Sequence, residues 1–196
     1  EGAKEGEYGK VVISAEYADG QEIVIRPGDT MVMDFGQNCA AIPEFVFKAA
    51  EGTVLTCLPS EILNDGNGAE SRGMDGPEGS CHRTNLRAHV EPAILMQYTF
   101  AGDKNYVTYH PTRTFFGYRF ISVTATDEVR IKSVKSIPVT SITKEMEAGK
   151  ITTGNYLINK LISNTRWGMY SNYLSLPTDC PQRDERLGWT ADTQVF

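Results

Sequence analysis

The stretch LPTDCPQRDERLGWTAD, residues 176–192, sets four carboxylates (Asp179, Asp184, Glu185 and Asp192) among two arginines (Arg183, Arg186) and Trp189, and adds the bend formers Pro177, Pro181 and Gly188. Prolines and a glycine fix backbone direction and a tryptophan supplies a flat apolar face, so this is not the composition of a plain solvated charge run. Two geometries fit. A helix running from Arg183 lines up Glu185, Gly188, Trp189 and Asp192 on one face. The bend formers favour instead a loop as far as Trp189, followed by a helix with Thr190 as N-cap and Asp192 in its first turn, where a negative charge suits the dipole. Either arrangement gathers the carboxylates at one pocket rim. Crowded carboxylates keep a proton on one of their number, and a sugar-cleaving site needs one protonated carboxyl, others to hold hydroxyls and an aromatic face. Arg183 or Arg186 paired with the protonated carboxyl would oppose its keeping the proton, so an arginine is expected to bond and orient a neighbouring carboxylate instead. A surface loop with arginines holding a turn fits the same spacing.

Upstream, NYLINKLISNTRWGM (residues 155–169) places Leu157, Ile158, Leu161, Ile162, Thr165 and Met169 at helical spacing, with Thr152 or Thr153 as N-cap. Residues 141–150 form a polar linker that marks a domain boundary. Before it, MVMDF, EFVFKA, TVLTCLP, AILMQYTF, NYVTYHP, YRFISVTA and VRIKSVKSIPV recur as short β-type runs punctuated by turn residues, the pattern of an antiparallel sandwich. Residues 64–79 (NDGNGAESRGMDGPEG) predict a mobile surface loop. At residues 10–26, VVISAEY and QEIVIRP flank Asp19-Gly20, which predicts a hairpin, and residues 1–9 predict a frayed entry.

A net charge of −6 over 196 residues has the wrong sign for nucleic acid or an anionic membrane as partner. No run of about 18 apolar residues spans a bilayer. The chain opens at Glu1 rather than Met and reads as a piece of a longer protein, so the compartment stays open between periplasmic or extracellular and cytoplasmic. Cys39, Cys57, Cys81 and Cys180 lack metal-site spacing and read as packing or free thiols, with one bridge still open. Cys180 has no histidine close in sequence to activate it. His82, His89 and His110 read as structural rather than metal ligands. Phe115, Phe116, Tyr118 and Phe120 read as a core strand rather than a sugar platform, and residues 34–38 (DFGQN) as a turn at a strand end rather than a contact with the substrate rim.

The motif PTDCPQRDERLGWTAD resembles the signature of bacterial α-L-rhamnosidases, glycoside hydrolase family 78, near the start of their (α/α)6 barrel. MVMDFGQNCA (31–40), PSEIL (59–63) and TFFGYRFISV (114–123) resemble the concanavalin-like β-sandwich preceding that barrel. The resemblance implies a mainly β chain: an antiparallel concanavalin-like sandwich followed by the first helix and catalytic loop of an incomplete six-hairpin barrel. The expected division is an entry segment with a hairpin (1–29), the sandwich (30–140), and the linker with the start of the catalytic domain (141–196). It further implies an inverting, exo-acting enzyme that removes terminal α-L-rhamnose from glycans, with Glu185 as general acid. Asp179 and Asp192 hold rhamnose hydroxyls or tune the acid, and Arg183 and Trp189 are further pocket residues. The family has glycine where this chain has Ala191. Its general base lies later in the barrel, beyond Phe196, so the chain alone is expected to be inactive. The implied partners are a rhamnose-containing carbohydrate and the remainder of the barrel, with no metal or other cofactor. The alternative is a non-catalytic sandwich that binds carbohydrate or braces a glycosidase.

Overall fold

The computed structural model describes Tyr17 and residues 20–66, 73–86 and 94–194, with Asp192 described by its backbone alone. Among the described residues, seven antiparallel strands form one hydrogen-bonded sheet: β1 (Ile23–Ile25), β2 (Met31–Ala49), β3 (Val54–Ser60), β4 (Met96–Thr99), β5 (Val107–Tyr109), β6 (Phe116–Ala125) and β7 (Val129–Pro138). The order is β1-β7-β2-β6-β3-β4, and β5 pairs with β2. MVMDF and EFVFKA, expected as separate strands, are the two ends of the 19-residue β2. The DFGQN segment between them is an irregularity within the strand rather than a terminal turn: the register against β6 shifts between Asp34 and Cys39. There Gly36 adopts φ +76°, which glycine alone tolerates freely, and its N–H donates to Asp34 Oδ1 at 2.7 Å. Arg119 on β6 grips the same carboxylate with two hydrogen bonds, of 2.8 and 3.0 Å.

The long β2 lets the sheet fold over on itself. Phe47 on β2 lies 4.7 Å, centroid to centroid, from Tyr98 on β4. Three strand spacings separate these strands in the hydrogen-bonded order, so a flat sheet would hold them about 14 Å apart. The two layers enclose Phe45, Phe47, Leu55, Tyr118, Val123, Val129 and Ile131, all with 0% exposure. Strand periodicity places them: on β7, Val129 and Ile131 are buried while Arg130 and Lys132 face solvent. All four cysteines are free, and burial pushes the Cys57 thiol up to about 12.

Several expectations shift in detail. Residues 1–9, the first run of the residue 10–26 hairpin apart from Tyr17, and Asp19 lie outside the described residues, as does His89; the second run forms β1, paired with β7. The described parts of the 64–79 loop are anchored rather than purely superficial. Asn64 and Asp65 are buried, Asn64 Nδ2 donates to Ser80 Oγ, and the Asp75 carboxylate accepts from Arg83 N, Thr84 N and Thr84 Oγ1.

Helix α1 spans Tyr156–Asn172. Its N-cap is Asn155, not Thr152 or Thr153: the Asn155 carboxamide accepts from Leu157 N and Ile158 N, while Thr153 braces Asn159. The C-terminal half docks on the sheet. Trp167 joins the core, and buried Ser171 Oγ accepts from Ala40 N at 3.1 Å. Along the N-terminal half Tyr156, Leu157 and Leu161 stand exposed. The linker is stapled back, since Ser141 N donates to Tyr173 O and Ser141 Oγ accepts from Ser175 N, both at 2.8 Å. A hairpin of β8 (Tyr173–Leu174) and β9 (Leu176–Pro177) turns through Ser175 into the acidic stretch, and α2 (Thr190–Thr193) follows it.

Candidate active site

The acidic stretch is a closed loop. Thr178 bridges to Gly188, Trp189 N donates to Pro177 O at 3.0 Å, and Thr178 N donates to Asn172 O at the end of α1. The ring between these clasps turns tightly at Glu185, whose N–H reaches back to Arg183 O, and at Arg186, a non-glycine residue with φ +46°. That strained position marks a backbone held by its surroundings. A loop followed by a short helix is therefore the geometry adopted, not a helix running through from Arg183, with Thr190 as the first helical residue rather than the N-cap.

Inside the ring, Arg183 is the pivot. Its Nε donates to Glu185 Oε2 at 2.7 Å and a terminal nitrogen lies 3.8 Å from Asp179 Oδ2. The bond to Glu185 is the main reason the guanidinium is raised above its ordinary value. Both carboxylates are partly covered, at 19% exposure for Asp179 and 23% for Glu185. Asp179 Oδ1 is buried without a hydrogen-bond partner, an acceptor waiting for a donor. The Cys180 thiol donates to Asp179 Oδ2 at 3.4 Å and is raised by burial and then by that bond, so it stays a protonated packing group. The structure thus brings Asp179, Arg183 and Glu185 together. Asp184 is exposed, Trp189 is 45% exposed just past the clasp, and Asp192 belongs to α2 while its side chain lies outside the described residues.

The side-chain atoms of Asp179, Cys180 and Glu185 lie within 4.8 Å of one another. Arg183 already supplies the positive charge between the two carboxylates and the thiol keeps its proton, so this donor set does not fit a cation.

The sheet positions this loop. A Cβ on Gly117 of β6 would meet Gln182 N at 2.7 Å and Gln182 Cα at 2.8 Å, so the loop backbone lies directly on the strand where only glycine leaves room. Arg186 stacks over the Phe115 ring at 4.2 Å and donates to Phe115 O. Phe116, Tyr118 and Phe120 are core residues as expected, whereas Phe115 and Gly117 form the seat of the loop. Glu61, which follows β3, is a group the motif reading missed. Its Oε1 accepts from Asn38 Nδ2 at 3.0 Å, and its Oε2 from Asn85 Nδ2 at 3.3 Å. Burial pushes the Glu61 carboxyl up, against the opposing pull of Asn38 and the positive charge of Arg183. Nothing local in PSEIL announces this, because the partners are 23 or more residues away in sequence.

Residues 9–141 match the family model of the bacterial alpha-L-rhamnosidase concanavalin-like domain, and residues 146–196 that of the bacterial alpha-L-rhamnosidase 6 hairpin glycosidase domain. The chain belongs to the bacterial α-L-rhamnosidase family. An alpha-L-rhamnosidase of Streptomyces avermitilis is 34% identical over 178 residues, covering 87% of this chain and 15% of that protein. One from Alteromonas sp. (strain LOR) is 30% identical over 169 residues, 86% of this chain and 16% of its own length. The crystal structure of the Streptomyces avermitilis alpha-L-rhamnosidase complexed with L-rhamnose superposes with a TM-score of 0.61 at 30% identity, over 91% of this chain and 17% of that one. The chain therefore spans about a sixth of the length of the curated relatives it matches. Family membership bears out the fold expectation of a concanavalin-like β domain followed by the start of a six-hairpin domain.

Proposed function

We propose that this chain is the junction region of an inverting, exo-acting α-L-rhamnosidase, with Glu185 as the general acid that protonates the leaving glycosidic oxygen. The observation that carries the reading is the gathering of two largely covered carboxylates, Glu185 and Asp179, in the loop of a chain of this family. The Arg183 bond favours ionised Glu185, so the acid role requires Arg183 to be drawn off Glu185 when substrate binds. Hydrolysis with inversion needs an acid on one side of the anomeric carbon and a base with a water on the other. Glu185 supplies the first. The base belongs to a later part of the barrel, so residues 1–196 alone give no turnover. Asp179 Oδ1, a buried acceptor with no donor, suits a rhamnose hydroxyl; Arg183 orients both carboxylates; Trp189 and Asp192 complete the sugar pocket. The domain division at residues 140 and 141 belongs to the same reading, as do the partners, a terminal rhamnose and the rest of the barrel.

The test uses the complete polypeptide and an aryl α-L-rhamnoside. Wild type releases rhamnose, and Glu185→Gln, which keeps shape and loses the proton, lowers kcat by about a thousandfold or more with an unchanged melting temperature. Ordinary turnover by the variant removes Glu185 from the role. The seating of Gln182 on Gly117 and of Arg186 on Phe115 favours a bracing sandwich over a separate carbohydrate-binding module.

A further inference from the structure

Glu185 stands between two chain reversals, and the second of them is fastened to the sheet. On one side Glu185 N donates to Arg183 O at 3.0 Å. On the other, Arg186 takes a left-handed φ of +46°, which a residue with a Cβ keeps only where its surroundings hold it. What holds Arg186 is its own side chain. The guanidinium lies 4.2 Å above the Phe115 ring, and a terminal nitrogen donates to Phe115 O at 3.3 Å. Phe115 directly precedes β6, whose Gly117 carries the Gln182 backbone. The loop is thus fastened to the sheet on both sides of Glu185, by Gln182 and by Arg186. We propose that Arg186, clamped on Phe115, is a positioning residue for the general acid: it fixes the backbone from which Glu185 presents its carboxyl to the leaving oxygen. This rests on the reading of Glu185 as that acid.

The bond from Arg183 cannot do this work. It favours ionised Glu185 and has to be given up before the carboxyl can donate a proton. A fastening that survives this step must act on the backbone and bring no second cation against the acid. The Arg186 side chain meets that condition, since its contacts lie on the face of a ring and on a main-chain oxygen. Stability alone does not favour the arrangement: the chain keeps a left-handed residue that is not glycine, and Arg186 Nε is buried without a hydrogen-bond partner. Placement is what the clamp supplies, and a catalytic group displaced by about 1 Å loses up to about a hundredfold in rate.

The experiment compares two substrates on the complete polypeptide. A phenyl α-L-rhamnoside needs its leaving oxygen protonated, whereas a dinitrophenyl α-L-rhamnoside releases so weak a base that the acid's proton adds little. In Arg186→Met, which keeps the stem and loses the clamp, kcat on the phenyl substrate falls about tenfold to a hundredfold, KM stays within about twofold, and kcat on the dinitrophenyl substrate falls no more than about threefold. Phe115→Leu does the same, and the double variant loses no more than the larger single loss, because both changes break one contact. Phe115→Tyr keeps the ring face and so the wild-type ratio of the two substrates; with Phe115→Leu it decides the matter should Arg186→Met fail to fold. Equal losses on both substrates, an undiminished phenyl rate, additive losses in the double variant, or a Phe115→Tyr ratio displaced as in Phe115→Leu each overturn the proposal. Glu185→Gln separates the two readings. An acid at Glu185 makes its loss far larger on the phenyl substrate; an equal loss on both sinks that reading and this one together. A split in Glu185→Gln that is absent from Arg186→Met and Phe115→Leu sinks this one alone.

Discussion

Asp75 shows how a single side chain holds a loop. Burial alone raises its carboxyl, but the bonds from Arg83 N, Thr84 and Asn64 outweigh it, and the group sits well below the ordinary carboxylate range. A folded-state value below the unfolded one, about 3.9, means the stabilisation is complete above that pH and is lost as pH falls toward the folded value. Asp75→Asn therefore costs about 1–3 kcal/mol at pH 7, and the gap to wild type narrows below about pH 4. Urea denaturation at pH 7, 5 and 3 checks this; an equal gap at pH 3 and pH 7 contradicts it. At the same scale the acidic motif was largely legible. Its residue types announced a cluster of carboxylates, but the arginine's short bond goes to Glu185, the expected acid, and only a 3.8 Å contact goes to the neighbouring Asp179. That the arginine chosen is Arg183, and that Asp184 turns outward, depends on the turn at Glu185 and the left-handed Arg186, which no residue type reveals.

Elements obeyed their periodicities, and their ends did not. The apolar spacing of α1 identified the helix, but Asn155 won the cap because its carboxamide faces two free N–H groups while Thr153 is held by Asn159. Asn155→Ala is expected to cost about 1 kcal/mol in chemical denaturation, with Thr153→Ala costing less; the reverse order contradicts the cap assignment. β2 was expected as two strands because DFGQN has turn composition, yet Arg119 and Tyr118 on β6 hold that segment inside one strand, the first through Asp34 and the second against Phe35. Gly117 is the element-level counterpart of the site. Gly117→Ala forces the Gln182 backbone to move and costs about 1–3 kcal/mol of strain. In the complete protein it lowers kcat at least tenfold while the far-ultraviolet dichroism of the sheet is kept. Full activity in that variant shows that the loop does not need its seat.

For the whole molecule, the sheet folds over one core while the first turns of α1 present Tyr156, Leu157 and Leu161 to solvent. Such a face binds apolar dyes and promotes self-association. Residues 1–196 alone should enhance anilinonaphthalene sulfonate fluorescence, and Leu157→Lys with Leu161→Lys should abolish most of that signal; an equally bright double variant places the exposed surface elsewhere. If the sandwich braces rather than binds, residues 1–140 give no calorimetric heat with rhamnosides, and a clear isotherm revives the binding-module alternative. The sequence by itself determined the β character of the first part, the helix and the loop form of the acidic stretch, because period, turn residues and charge act over a few neighbours along the chain. Only the tertiary structure decided that β2 is one strand shared by two layers, that Gly117 exists to seat Gln182, and that Asn38 and Asn85 hold Glu61. Those contacts join residues tens of positions apart, and their energies exist only once the sheet has closed.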